Sequence, residues 1–256
     1  MSTHLQPADL GSILSVWAHP DDETYLAGGL MAAAADAGHR VVCVSATAGE
    51  HGTDDPDTWP PERLGPVRRW EAAAAMAVLG VSEHRWMGLP DGTLADVDPV
   101  DGVAAIVALI EEVEPDTIVT FGPDGATFHP DHRTISAWVT EAWRATGGTA
   151  RLLHRAATVA HLQEWGPLYE EWGVYMTDER PVGHHPDELA VALELSGAAL
   201  DRKVTALRAM ATQVGPAVAL LGGERFAASN AEETFVEVRP GEASPSAASL
   251  RLVRSR

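Results

Sequence analysis

Over its first 160 residues the chain alternates short apolar runs with alanine-rich stretches of helical length, and this rhythm constrains the fold more than any other feature. The run Ile13 to Ala18 stops at a Pro and two acids and reads as a buried strand. Glu23 to Ala37 reads as a helix ended by Gly38, the usual residue just past a helix C-terminus. The same alternation gives strands at Arg40 to Ala46, His84 to Met87 and Thr117 to Phe121, with a fifth expected at Arg155 to Leu162. Helices are expected at Val67 to Leu79, Asp101 to Val113 and Ile135 to Ala145. Strands separated by helices this long need right-handed crossovers, and therefore a mostly parallel sheet covered on both faces. The expected fold is α/β, a Rossmann-like doubly wound sheet. Its last third is an irregular α+β region with strands at Leu189 to Leu195 and Thr234 to Val238 and a helix at Ala198 to Ala211. In such a sheet strands one and four are neighbours where the winding reverses, and ligands bind beyond their carboxyl ends.

That crevice is where the chemistry-bearing residues fall. Ala18-His19-Pro20-Asp21-Asp22-Glu23 follows strand one, and Phe128-His129-Pro130-Asp131-His132 lies in the loop after strand four. Each motif alone is compatible with an ordinary helix start, Asp22 being a first-turn acid favoured by the helix dipole. Converging on one crevice, they supply what a catalytic zinc requires: imidazole and carboxylate ligands with a position left open. His19, Asp22 and His132 are the expected ligands. Asp21 is then the free carboxylate that serves as base, and His129 the free imidazole on the other side of the reacting carbon, a set sufficient to hydrolyse an amide. The similar string His184-His185-Pro186-Asp187-Glu188 precedes a strand instead of following one, and no metal role is expected there.

The combination resembles the LmbE-like family, also called the PIG-L deacetylases. Beyond AHPDDE and HPDH, Thr47-Ala48-Gly49-Glu50, Arg68-Arg69-Trp70-Glu71, Leu89-Pro90-Asp91-Gly92 and the stretch Lys203 to Gln213 match family patterns, in order, from about residue 13 to 238. The resemblance implies a zinc-dependent N-deacetylase with one Zn2+ per chain, acting mostly on N-acetylglucosamine groups of small glycoconjugates. It assigns the metal to His19, Asp22 and His132, base catalysis to Asp21, and acid catalysis or transition-state stabilisation to His129. It implies sugar contacts for Arg68 and Asp91; without it, Arg68 reads as a partner for Glu71, and Asp91-Gly92 as a turn. Asp131 is expected to orient His129. One deacetylase domain then spans residues 1–256, with its core at about 11–165, an extension at about 166–240 and a mobile tail at about 241–256.

Charge and cysteine content narrow the partners. Thirty-seven acidic residues against 18 Lys and Arg give a formal charge of −19, which repels nucleic acid and anionic membrane. No apolar stretch is long enough to span a bilayer, and the N-terminus lacks the basic region of a signal peptide. Cys43 is the only cysteine, so no internal disulfide forms and a cytoplasmic setting is expected. A homo-oligomer is left open.

Other readings differ in class. A nucleotide-binding protein would need G-x-G-x-x-G after strand one, where this chain has two acids. A sugar-binding module without catalysis would not need both Asp21 and His129. A metallohydrolase of a non-sugar N-acyl conjugate fits the same residues. Three departures from the family bear on substrate: Met210 where many members have His, the bulky Phe128 before His129, and the unmatched aromatic stretch with Trp165, Tyr169, Trp172 and Tyr175.

Overall fold

The computed structural model describes residues 4–239 and Gly241. Among them, β1 (Ile13–Trp17), β2 (Val41–Ser45), β3 (Glu83–Trp86), β4 (Thr117–Phe121) and β5 (Arg151–Arg155) pair in parallel. β7 (Glu232–Val238) pairs antiparallel with β5, and β6 (Val191–Glu194) antiparallel with β7. The order β3-β2-β1-β4-β5-β7-β6 makes β1 and β4 neighbours, with Ile13 opposite Thr117, so the expected α/β fold and its switch point are both present. Every residue of β1, β2 and β4 is buried, because helices cover both faces of the sheet.

The helices are α1 (Asp22–Asp36), α2 (Pro61–Leu79), α3 (Pro99–Val113), α4 (Pro130–Ala145), α5 (Val159–Glu171), α6 (Gly197–Ala209), α7 (Ala211–Leu221) and α8 (Gly223–Ser229). Three of them begin on a proline, which has no N–H to leave unpaired and a φ suited to the first turn. The expected starts at Val67, Asp101 and Ile135 fall late for that reason: apolar periodicity sets in only after the proline turn. The difference matters in α4, where Asp131 and His132 lie on the first helical turn instead of in a loop.

The expected fifth strand at Arg155 to Leu162 is misplaced. The strand is Arg151–Arg155, and Thr158 then caps α5 by accepting from the His161 N–H at 3.0 Å. The strand holds only two apolar residues, Leu152 and Leu153, whereas the segment after it is richer in them. Helices α7 and α8 were also not expected from the sequence. The expected mobile tail lies outside the described residues, apart from Gly241. No described helix is long and apolar enough to cross a membrane.

Candidate active site

At the carboxyl end of β1 the chain turns sharply into α1. Asp21 adopts φ 123°, a left-handed conformation that non-glycine residues rarely hold. Its N–H is received by the buried Glu23 carboxylate at 3.0 Å. The turn lets the Asp22 carboxylate accept the His19 N–H at 2.8 Å, which fixes both side chains on one side of the loop. The β4–α4 loop has comparable strain, with Ala126 and Phe128 both at φ 63°. Such outliers persist only where surrounding structure enforces them, and they concentrate at functional sites.

The two loops meet. His19 Nδ1 lies 3.1 Å from His132 Nε2, His132 Nε2 lies 3.3 Å from Asp22 Oδ1, and His19 Nδ1 lies 3.5 Å from Asp22 Oδ2. All three residues are at least nine-tenths buried. Their outward nitrogens are already committed. His132 Nδ1 donates to the Gly125 carbonyl at 2.9 Å, and His19 Nε2 faces Asp91 Oδ1 at 3.0 Å and Asp131 Oδ2 at 3.3 Å. With these outer partners, each ring can keep a proton on its outer nitrogen and offer the inner one to a cation. Two imidazole nitrogens and a carboxylate converging at these distances need a positive charge among them, either a proton on His19 Nδ1 or a bound cation. Donors bonded at 2.0–2.1 Å to a tetrahedral ion are about 3.3 Å apart, so the set fits such an ion.

The electrostatics express the same demand for positive charge. Burial opposes charging His19, yet the carboxylates of Asp131, Asp22 and Asp91 raise its pKa well above the ordinary value. Burial alone would raise Asp22, but His132 and His19 hold it at about 2.

Asp21 and His129 lie beside this cluster and are its more exposed neighbours. Burial pushes Asp21 up to about 7, against the pull of the Arg68 guanidinium 3.1 Å away. His129 caps α4, its Nδ1 accepting the Asp131 N–H at 3.1 Å, so its neutral ring carries the proton on Nε2. A nitrogen of His129 also lies within 4.8 Å of nitrogens of His19 and His132.

Three surrounding residues are held by protein partners. Asp131 faces His19 instead of His129: its carboxylate also accepts the Gly92 and Leu94 N–H groups at 2.8 and 3.0 Å, which fix its direction. Arg68 is 3% exposed and donates to the Gly49 and Pro20 carbonyls at 2.7 and 2.6 Å as well as to Asp21. Asp91 is 7% exposed and divided between His19 and the His51 N–H. The role of Glu23 beneath Asp21 escaped the sequence reading, although its place in the motif was visible. His184 bridges to Thr158 at the start of α5, and neither it nor His185 joins a metal-capable group among the described residues.

Residues 14–143 match the family model described as GlcNAc-PI de-N-acetylase, PIG-L. The chain belongs to the PIG-L family. Family relatives include the 1D-myo-inositol 2-acetamido-2-deoxy-alpha-D-glucopyranoside deacetylase of Mycolicibacterium vanbaalenii, 33% identical over 245 residues and 85% of each chain. The protein of the same name in Mycolicibacterium smegmatis is 32% identical, covering 96% of this chain and 94% of its own. Among solved structures, the A40926 pseudoaglycone deacetylase superposes with a TM-score of 0.65 at 23% identity, covering 92% of this chain and 100% of that one. A 4-carboxy-2-hydroxymuconate hydratase from Pseudomonas putida shares the fold, with a TM-score of 0.61 at 19% identity, covering 91% of this chain and 98% of its own. The shared fold thus hosts more than one reaction, and the activity has to be argued from the site.

Proposed function

We propose that this protein is a zinc-dependent hydrolase that removes the acetyl group from the amide nitrogen of an N-acetylglucosamine-type glycoconjugate. The observation that carries the reading is the convergence of three inward lone pairs, from His19, Asp22 and His132, beside a carboxylate that is held separately. Membership of a de-N-acetylase family supports the reaction, and the names of the Mycolicibacterium relatives support the sugar class.

His19, Asp22 and His132 would hold the metal. When bound, a divalent cation supplies Lewis acidity toward the acetyl carbonyl and the attacking water. Asp131 and Asp91 keep the His19 proton on Nε2, and Gly125 keeps the His132 proton on Nδ1, so the inner nitrogens stay free to ligate. Asp21 accepts a proton from water at its carboxylate and returns it to the leaving amine. Burial raises its carboxyl above the usual carboxylate range, which favours holding and returning the proton. His129 directs its Nε2–H at the oxygen on which negative charge develops. Arg68 and Asp91, both buried, act as positioning residues for Asp21 and His19. The substrate is a small molecule, and the single buried thiol of Cys43 suits a cytoplasmic setting.

Metal content and acetate release measured together on the purified protein test this reading. About one zinc per chain, with acetate released from simple N-acetylglucosamine derivatives, is the expected result. His132→Ala should lose the metal. Metal-loaded protein that releases acetate from no N-acetyl sugar refutes the reaction, and stoichiometric zinc in His132→Ala removes that residue from the ligand set.

A further inference from the structure

Tyr25 and Leu26 of α1, Leu162 and Tyr169 of α5, Trp172 just beyond it, and Leu221 of α7 are large apolar or aromatic side chains left half-buried. All six line one cavity of about 380 Å3. Asp22 and His132 line it too, so it is continuous with the ligand cluster, whereas Asp21, Arg68, Asp91 and His129 lie outside it. The cluster therefore has two unlike flanks. One is polar and carries the proton-transfer groups; the other is a largely apolar cavity.

Several polar groups of the cavity wall already have protein partners, although Tyr25 and Tyr175 also line it and the Arg155 Nε has none. Glu232 accepts from the Thr158 hydroxyl at 2.9 Å, His161 Nε2 pairs with the Tyr169 hydroxyl at 3.0 Å, and Arg155 donates to the Thr234 carbonyl at 3.0 Å. A sugar placed there would strip water from its hydroxyls against Leu and Trp with few partners in return. An alkyl chain would instead cover apolar surface that otherwise faces water. At roughly 30 Å3 per water-sized group, the volume holds on the order of a dozen non-hydrogen atoms. An acetyl methyl is one.

We infer that this cavity receives the acyl substituent of the scissile amide, and that the enzyme accepts N-acyl glucosaminides with linear chains of about six to ten carbons, a length set by that volume. The inference rests on the hydrolase reading above. Water adds across the amide, the acyl C–N bond breaks, a fatty carboxylate is left in the cavity and the amine departs with a proton. The sugar occupies the polar flank beside Asp21 and His129.

The test compares N-octanoylglucosamine with N-acetylglucosamine on the metal-loaded protein, by calorimetric binding and by amine release. The octanoyl compound should bind at least about tenfold more tightly and be cut with higher kcat/KM. Leu162→Trp and Ala217→Phe, which fill the cavity from α5 and α7, should abolish that preference, read as the ratio of octanoyl to acetyl kcat/KM; melting curves establish that each is folded. Tighter octanoyl binding without release of either amine upholds the cavity and refutes the hydrolase reading. Acetyl hydrolysis with no octanoyl preference, or a preference that survives in both folded variants, overturns the inference and leaves the hydrolase reading standing.

Discussion

Lys203→Met tests how helix α1, which carries Asp22, is anchored. Lys203 Nζ lies 2.8 Å from Glu233 Oε1, and both side chains are fully buried. The Glu233 carboxylate also accepts the Gly29 and Leu30 N–H groups from the middle of α1, at 2.7 and 2.8 Å. One carboxylate thus joins α1, α6 and β7. Removing the cation leaves a negative charge inside the protein, compensated by the two amides and by the more distant Arg155 guanidinium. Breaking a buried pair from one side costs about 3–5 kcal/mol, and the two surviving amide bonds place the expected loss near the lower end, about 3 kcal/mol. In a chain of this size that lowers Tm by roughly 6–12 °C. Urea unfolding at neutral pH measures the loss directly. The double variant Lys203→Met/Glu233→Gln removes the charge while keeping an acceptor for α1, and should recover at least about 1 kcal/mol of it. A Lys203→Met protein within about 1 kcal/mol of wild type, or a double variant no more stable than the single, would refute the argument that a stranded charge dominates.

Asp21→Asn should keep the metal and lose at least about a hundredfold in kcat, the usual scale for a positioned base; full activity in the metal-loaded variant sinks that assignment. Arg68→Met removes the charge that opposes burial at Asp21, so the acid limb of the pH–kcat/KM profile should move up by about one unit or more. A profile that stays in place would show that Arg68 does not set the Asp21 pKa. Stability should also fall on the acid side through His154, which is buried and held down to about 4 by burial and then by Arg144. Because its folded pKa is below the unfolded value of about 6.5, the unfolded chain takes up the proton first. Its contribution is complete above that pH and shrinks below it, by about 2 kcal/mol at pH 5. His154→Gln should remove that share of the pH dependence, and an unchanged slope between pH 7 and 5 counts against it.

The parallel core was readable because its strands are short, apolar and spaced by helices, a pattern with few alternative packings. The convergence of the two histidine- and aspartate-bearing motifs was readable for the same reason: once β1 and β4 are neighbours, their carboxyl ends must converge. Element edges were less legible. Proline turns carry no apolar periodicity, which hid the starts of α2, α3 and α4, and β5 has too few apolar residues to compete with the segment behind it.

The sequence by itself determined the fold class, the family and the residues brought to the crevice, because these depend on local periodicity and on motifs at strand ends. Only the tertiary structure decided which partner each side chain takes. Asp131 faces His19 instead of His129 because backbone N–H groups of Gly92 and Leu94, about 40 residues away in sequence, aim its carboxylate. The two terminal nitrogens of Arg68 are held by Pro20, Gly49 and Asp21 because α2 packs against both loops at once. The cavity beside Asp22 and His132 exists because α1, α5 and α7 meet there without filling the space between them, a fact of packing that no stretch of sequence records.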